Sequence, residues 1–320
     1  DSSADAVGAF LKTAPQVLER ISPAQLEVWF NRGLEYLTDN PDAGVAYFKL
    51  ESARAENLID QLSSSIEFEK VHGMLRMYSN ALAGTEVELN TTADITHRNI
   101  GWLSVELATT DGKSVFLPPT VDTHDSKKEN FAWLKVVTTH QVGHLEFNSF
   151  KFDFDSPSAN FNNYRQGLAE GLGVIPSSTD MSSFFDLFPE RALAADILSI
   201  AEGARVDTQI ISQYQGLASD YTNVQNEALR KRQPIQSMPA KQALVEMLIR
   251  LSLNENEPVN VPAKYIDEAM QLAGLMKTVK NPSSLVEDSA ESAIRMYHTL
   301  SKVSNELVPI NEWQTVTLND

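Results

Sequence analysis

Apolar residues recur at helical spacing along most of the chain, and between residues 85 and 120 the period falls to two. An amphipathic helix repeats its buried face every 3.6 residues and a half-buried strand every two. The pattern therefore restricts the fold to a mainly α architecture carrying one β-hairpin. Ser22-Pro23-Ala24-Gln25 opens a helix as a capping box, with Pro at the first helical position and Gln three residues after the cap. Leu26, Trp29, Phe30, Gly33, Leu34 and Leu37 then follow at helical spacing. Asn40-Pro41-Asp42 interrupts them; Val45, Phe48, Leu58 and Leu62 mark the next stretch. A further one, with Phe68, Val71, Leu75, Tyr78 and Leu82, ends at Gly84. Successive helices of this kind pack as a small solenoid or bundle.

Inside the exceptional window, Glu86 to Leu89 alternates, and WLSVELATTDGKSVFLPP reads as a hairpin turning at Asp111-Gly112. Leu103, Val105 and Leu107 share one face of its first strand; Val115 and Leu117 alternate on the second, which Pro118-Pro119 stops. Helix resumes near Lys128, and Trp133, Val137, His140, His144 and Phe147 form one continuous stripe on it. Phe150, Phe152 and Phe154 alternate with Lys151, Asp153 and Asp155, which predicts an extended segment. Residues 156 to 183, rich in Ser, Asn and Gly, predict a long loop with one short helix. A helix from Pro189 to about Tyr214 carries Leu193, Ile197, Ile200, Ala201 and Ala204. Residues 239 to 254 and 262 to 307 supply more helix, split by Pro258, Pro262 and Pro282. The tail VPINEWQTVTLND lacks a core pattern and is expected to be a connector. The expected regions are 1–84, helical; 85–237, holding the hairpin and the histidine helix; and 238–320, helical with the connector.

Composition narrows the function. A formal charge of −17 argues against a nucleic-acid scaffold, since a polyanion would be repelled on average. No apolar run approaches the roughly 18 residues of a membrane span. The first residues show no signal-peptide pattern, and a chain without an initiator Met is expected to be trimmed. With no cysteine, disulfides, thiolate catalysis and Cys-based metal sites are excluded, so a metal site must use His, Asp and Glu. The expected compartment is cytoplasmic. GxxxxGK[ST] does not occur, so ATP use would belong to a partner, and the glycines of GLAEGLGV lack the strand-turn-helix setting of a dinucleotide site.

The chemistry concentrates in TTHQVGHLEFNSF, residues 138 to 150. His140 and His144 lie one helical turn apart on one face, a half-site for zinc or another divalent metal. Two buried imidazoles without a metal would each need another partner. Glu146 lies about 160° around the axis from His144 and points elsewhere. Asp153 and Asp155 would need the chain to double back sharply. Glu202, in SIAEGARVDTQI, sits beside an apolar helix face and is the candidate third ligand; its alternative is an ion pair with Arg205, three residues on. The order hairpin, HxxxH helix, second helix with Glu is that of gluzincin-type zincin metallopeptidases. Gln141 breaks the likeness: it stands where those enzymes carry glutamate, and an amide has no proton affinity near neutral pH.

Together, YFKLES (47–52), SVFLPP (114–119), NFAWLKVVTTHQVGHLEFNSF (130–150) and AEGARVD (201–207) resemble the N-terminal part of the NorD/CbbO family, over roughly residues 25 to 215. That family comprises nitric oxide reductase activation proteins and Rubisco-activase adaptors, which carry a C-terminal von Willebrand factor A domain and partner MoxR-type AAA+ ATPases. The resemblance implies that His140, His144 and Glu202 fall on zincin-like positions. It gives no role to Arg205 or Asp207. The A domain's Asp-x-Ser-x-Ser motif is not in these 320 residues, so the chain is expected either to be a fragment or to have lost that domain, which weakens the ATPase partnership.

The expectation is a mainly α solenoid or bundle with one hairpin and a zincin-like helix pair. Its function would be non-catalytic: the part of an activator or adaptor that works with a MoxR-type ATPase on a metalloenzyme target. His140, His144 and Glu202 would hold a structural metal, with no nucleic acid and no membrane span. The rivals are a zinc hydrolase using Glu146 or Asp207 as an atypical base, and a metal-free helical scaffold.

Overall fold

The structure is a computed structural model that describes residues 2–92, 109–173, 177, 179–254 and 256–318. In chain order the elements begin with α1 (Ser2–Leu18), α2 (Pro23–Asp39), α3 (Pro41–Phe48), α4 (Ala53–Leu62), β1 (Ile66–Glu67), α5 (Phe68–Ala83) and β2 (Glu88–Thr91). Next come β3 (Thr109–Thr110), β4 (Ser114–Leu117), β5 (Thr120–Val121), α6 (Lys127–Glu146), α7 (Arg165–Leu172), α8 (Asp180–Phe185) and α9 (Arg191–Gln213). The last are α10 (Ala218–Arg230), α11 (Ala240–Leu253), β6 (Val259–Pro262), α12 (Ile266–Val279), α13 (Val286–Ser301) and β7 (Trp313–Val316). The protein is mainly helical with a few short strands. No helix among the described residues is long and apolar enough to cross a membrane.

The chain forms two compact units, one from Asp1–Lys70 with Thr120–Ala132, the other from Val71–Pro119 with Trp133–Asp320. The first has an aromatic core. Trp29, Tyr47 and Phe48 are fully buried there, with Phe10 and Phe30 packed against them at ring separations of 5.7 to 6.4 Å. The capping box at Ser22 forms as its sequence predicts, and Pro41 occupies the first turn of α3 behind an Asn40 cap. Gly44 lets α3 approach α2: a Cβ there would stand 2.4 Å from the Leu37 backbone. β1 pairs with β5 antiparallel, Ile66 opposite Val121.

In the second unit α9 is the central element, packed by α13, α11 and α12. Thirteen of its residues are buried, from Ala194 to Ile210, including the charged Glu202, Arg205 and Asp207. β2, β4 and β3 form a three-stranded sheet, β2 parallel and β3 antiparallel to β4. The Asp111-Gly112 turn appears where the sequence puts it. Gly112 has φ +93°, which favours glycine, and Asp111 Oδ1 accepts the amides of Lys113 and Ser114. Leu103, Val105 and Leu107 lie outside the described residues.

Three segments differ from their periodicity. Phe150 to Phe154 is not a strand: Ser149–Lys151 is a 3-10 turn, with Phe150 exposed and Phe152 buried. The segment 156–183 contains two helices, α7 and α8, and is ordered by α13. Asp288 accepts from Ser158 and from the Asn160 amide, and Glu291 accepts from Arg165 and the Tyr164 amide. The tail is not bare connector, because β7 pairs antiparallel with β6, Trp313 opposite Pro262. In each case the ordering partner is remote in sequence.

Candidate functional site

α6 is buried on nearly every side between Trp133 and His144, not along a single stripe: Val136, Thr138, Thr139, Gln141 and Val142 are buried as well. A helix apolar or buried all round belongs to a core. Gly143 makes this approach to α9 feasible, since a Cβ there would come within 2.7 Å of side-chain atoms of both Val206 and Ile210. The glycine between the two histidines thus sets the distance at which α6 meets Glu202, Arg205 and Asp207.

His140 and His144 do lie together, ring centroids 5.0 Å apart and perpendicular. Each is held through Nδ1. His140 Nδ1 donates to Asp207 Oδ1 at 2.6 Å, and Asp207 Oδ2 in turn accepts from Gln225 at 3.1 Å. His144 Nδ1 lies 2.9 Å from the Ser149 hydroxyl, which hydrogen-bonds Glu202 Oε1. The ion-pair partner of Glu202 is Arg205. Arg205 Nε reaches its Oε2 at 2.8 Å and Nη2 its Oε1, a fork-to-fork pair. The remaining Arg205 donors go to Gln209 Oε1 at 3.0 Å, Phe147 O at 3.0 Å and Ser284 O at 3.3 Å.

This bonding fixes the protonation of His144. Ser149 has one hydroxyl proton, and the carboxylate of Glu202 takes it. The hydroxyl oxygen must then accept from His144, so the ring carries its proton on Nδ1 and a lone pair on Nε2. Burial, reinforced by the neighbouring His140, pushes the His144 pKa down to about 3, so the ring is neutral at physiological pH. For Glu202 burial works upward most strongly, but Arg205, His144 and Ser149 together outweigh it and hold the carboxyl below its ordinary range.

Three polar atoms of this region have no hydrogen-bond partner although they are buried: Nε2 of His144, and both the oxygen and the nitrogen of the Gln141 amide. Both side chains line one pocket of about 410 Å³ together with Thr110, Ser149, Phe150, Phe152, Met181, Leu198 and Glu202. The rim carries Asp180 and Thr179 from the start of α8.

The sequence singled out His140, His144 and Glu202, and the structure brings all three to the facing surfaces of α6 and α9. Glu202 takes the ion pair that was its alternative. Among the described residues no group of three or more His, Cys, Asp or Glu side chains has the spacing of a metal site. The two bases considered for a hydrolase are both engaged. Glu146 bonds the Tyr214 hydroxyl, away from the histidines, and burial raises its pKa. Asp207 serves His140. Sequence reasoning missed Ser149, the hinge of the chain from His144 to Glu202. Its only signal was a hydroxyl five residues after a histidine, past the end of the helix, where helical spacing no longer applies. Comparison with protein-family models, curated proteins and solved structures returned no match.

Proposed function

We propose that the chain is a non-catalytic activator or adaptor region, working with a MoxR-type AAA+ ATPase on a metalloenzyme target, with the pocket beside α6 as its recognition core. The observation that carries the non-catalytic part is the Arg205 fork on Glu202 beside an uncharged Gln141. A gluzincin-type zinc hydrolase needs a free carboxylate ligand and a basic group next to the metal-bound water. Here one carboxylate is neutralised by a guanidinium and the other is replaced by an amide. The partner class rests on the resemblance of YFKLES, the SVFLPP strand, the histidine helix and AEGARVD to the NorD/CbbO family.

A metal-linked form of the same reading is favoured by one observation, the unpaired Nε2 of His144. His140 and His144 would supply two imidazoles, and Asp207 and Ser149 would orient them as outer partners commonly do. In the bonding described, the donor set stops at two, because Glu202 could join only by leaving Arg205. Elemental analysis of native, chelator-free protein tests this form: near-stoichiometric zinc lost on His144→Ala supports it, and metal-free protein of full stability excludes it.

The non-catalytic reading is tested with a mixed peptide library, with and without added zinc. Neither wild type nor Gln141→Glu should cleave it. Robust cleavage by the wild type would return the hydrolase to the front. Partnership is tested by mixing the protein with a purified MoxR-type ATPase: binding with a change in ATP turnover supports the reading, and the absence of both contradicts it.

A further inference from the structure

The pocket beside α6 is polar in a particular way. His144 Nε2 is a bare acceptor, because Ser149 fixes the ring proton on Nδ1. Gln141 offers two N–H donors and one carbonyl acceptor, none of them used within the protein. Both side chains are more than nine-tenths buried, at 1% and 5% exposure for Gln141 and His144. Buried polar atoms are nearly always bonded, and each left unpaired costs about 1–3 kcal/mol. Three such atoms belong to two side chains on adjacent turns of one helix that line one pocket, and a ligand carrying the complementary groups would pair them.

The chemistry of that group follows from counting donors and acceptors. It must donate to His144 Nε2, donate to the Gln141 oxygen and accept from the Gln141 nitrogen. A carboxylate has no donor, and it would also face Asp180 at the rim. An ammonium or guanidinium has no acceptor for the Gln141 nitrogen. A primary carboxamide has two N–H donors and a carbonyl, enough to pair with the Gln141 amide through one N–H and the carbonyl and to donate the second N–H to His144 Nε2. The other walls, with Phe150, Phe152, Met181 and Leu198, suit an apolar stem.

We propose that this pocket binds a primary carboxamide on an apolar stem, either the side chain of Gln or Asn on a peptide or a small free amide, and holds it without cleavage. This rests on the reading of the site as a non-catalytic recognition core and gives that core its ligand chemistry. It uses the two residues by which the site departs from a hydrolase: the amide in place of the base, and the histidine whose lone pair takes a hydrogen bond.

The test is an NMR titration of the full chain, following the ring signals of His144 with chelator present. The probes are hexanamide, hexanoate and hexylamine, and a capped Leu-Gln-Leu peptide with a methylamide end beside its Leu-Glu-Leu counterpart. Hexanamide is expected to bind at least about tenfold more tightly than the acid or the amine, because a site built for hydrogen bonds rejects analogues that lack them. Gln141→Leu should weaken hexanamide about tenfold or more while leaving the circular dichroism unchanged. Met181→Trp, at the partly exposed wall, should block the pocket without touching the polar atoms. A preference of the Gln over the Glu peptide supports a protein source of the amide; binding of hexanamide alone supports a small-molecule source. Equal binding of all three small probes, amide binding that survives Gln141→Leu, or no binding up to the solubility limit each overturns the inference and leaves the non-catalytic reading in place. Hydrolysis of a bound amide would instead overturn that reading.

Discussion

α6 carries two buried side-chain amides that are treated in opposite ways. Asn130 is fully bonded: its Oδ1 accepts from the backbone amides of Thr123 and His124, both at 2.9 Å, and its Nδ2 donates to Ser64 O and His124 O, also at 2.9 Å. Gln141, further along the helix and as deeply buried, has no partner for either amide atom. The first amide ties a loop to a helix, and every group it needs comes from the chain itself. The second faces a pocket lined by His144. Asn130 saturates its bonds within the fold, whereas Gln141 keeps its bonds open, as the proposed ligand would require. The same contrast separates two buried Arg–Glu pairs. Arg165 and Glu291, with neither side chain exposed, are closed in by Arg295 and by backbone groups of residues 153–164. Arg205 and Glu202 pass their bonding on through Ser149 to His144, whose far nitrogen is left over.

The largest effect should come from breaking the second pair. Arg205→Met leaves Glu202 buried without its cation, and by analogy with other buried pairs should cost about 3–5 kcal/mol in denaturant unfolding. The same variant sharpens the metal question. It frees Glu202 toward His140 and His144, so substantial recovery of stability on adding zinc would favour the metal-linked form. No recovery would favour the closed, guanidinium-locked one.

Next is the pair of amides themselves, compared as leucine variants under one denaturation protocol. Asn130→Leu strands four bonding groups and should lose about 2–3 kcal/mol. Gln141→Leu removes two atoms that nothing satisfies and should gain about 1–2 kcal/mol. Opposite signs are the expected outcome. A loss at Gln141 similar to that at Asn130 would mean that the amide is bonded within the fold, and the contrast between the two would collapse.

A smaller effect is set by pH. His144 has its pKa lowered from 6.5 to about 3 by burial and by His140. Between those values the unfolded chain binds a proton that the folded ring refuses. Stability is therefore complete above pH 6.5 and falls as pH drops toward 3. In metal-free protein this one group should remove about 1 kcal/mol between pH 7 and pH 5.5. His144→Phe should flatten that part of the profile, and an unchanged slope in the variant would place the titration elsewhere.

What the sequence made legible was whatever depends on near neighbours. The capping box at Ser22, the Asp111-Gly112 turn, the breaks at Asn40-Pro41 and Pro282, and the meeting of His140 with His144 all follow from residues a few positions apart. Both partners of Glu202 were in view, the histidines and Arg205, and only the folded geometry could choose between them. The segment 156–183 reads as loop because its bonds run to Asp288 and Glu291 on α13, and β7 has no pattern of its own apart from β6. Ser149 is hidden for the same reason: the turn at Asn148, at φ +60°, carries it back under the histidine. Units assembled from separated stretches of chain leave no trace in a periodicity that looks a few residues ahead.

The account depends most on the state of one ring, which long-range proton–nitrogen NMR of labelled, metal-free wild-type protein reads directly. At neutral pH His144 should be neutral with its proton on Nδ1 and a bare Nε2, as the chain through Ser149 to Glu202 requires. A ring protonated on Nε2, or on both nitrogens, would contradict it, because His144 would then offer the pocket no acceptor and Gln141 would have no companion in recognising a ligand.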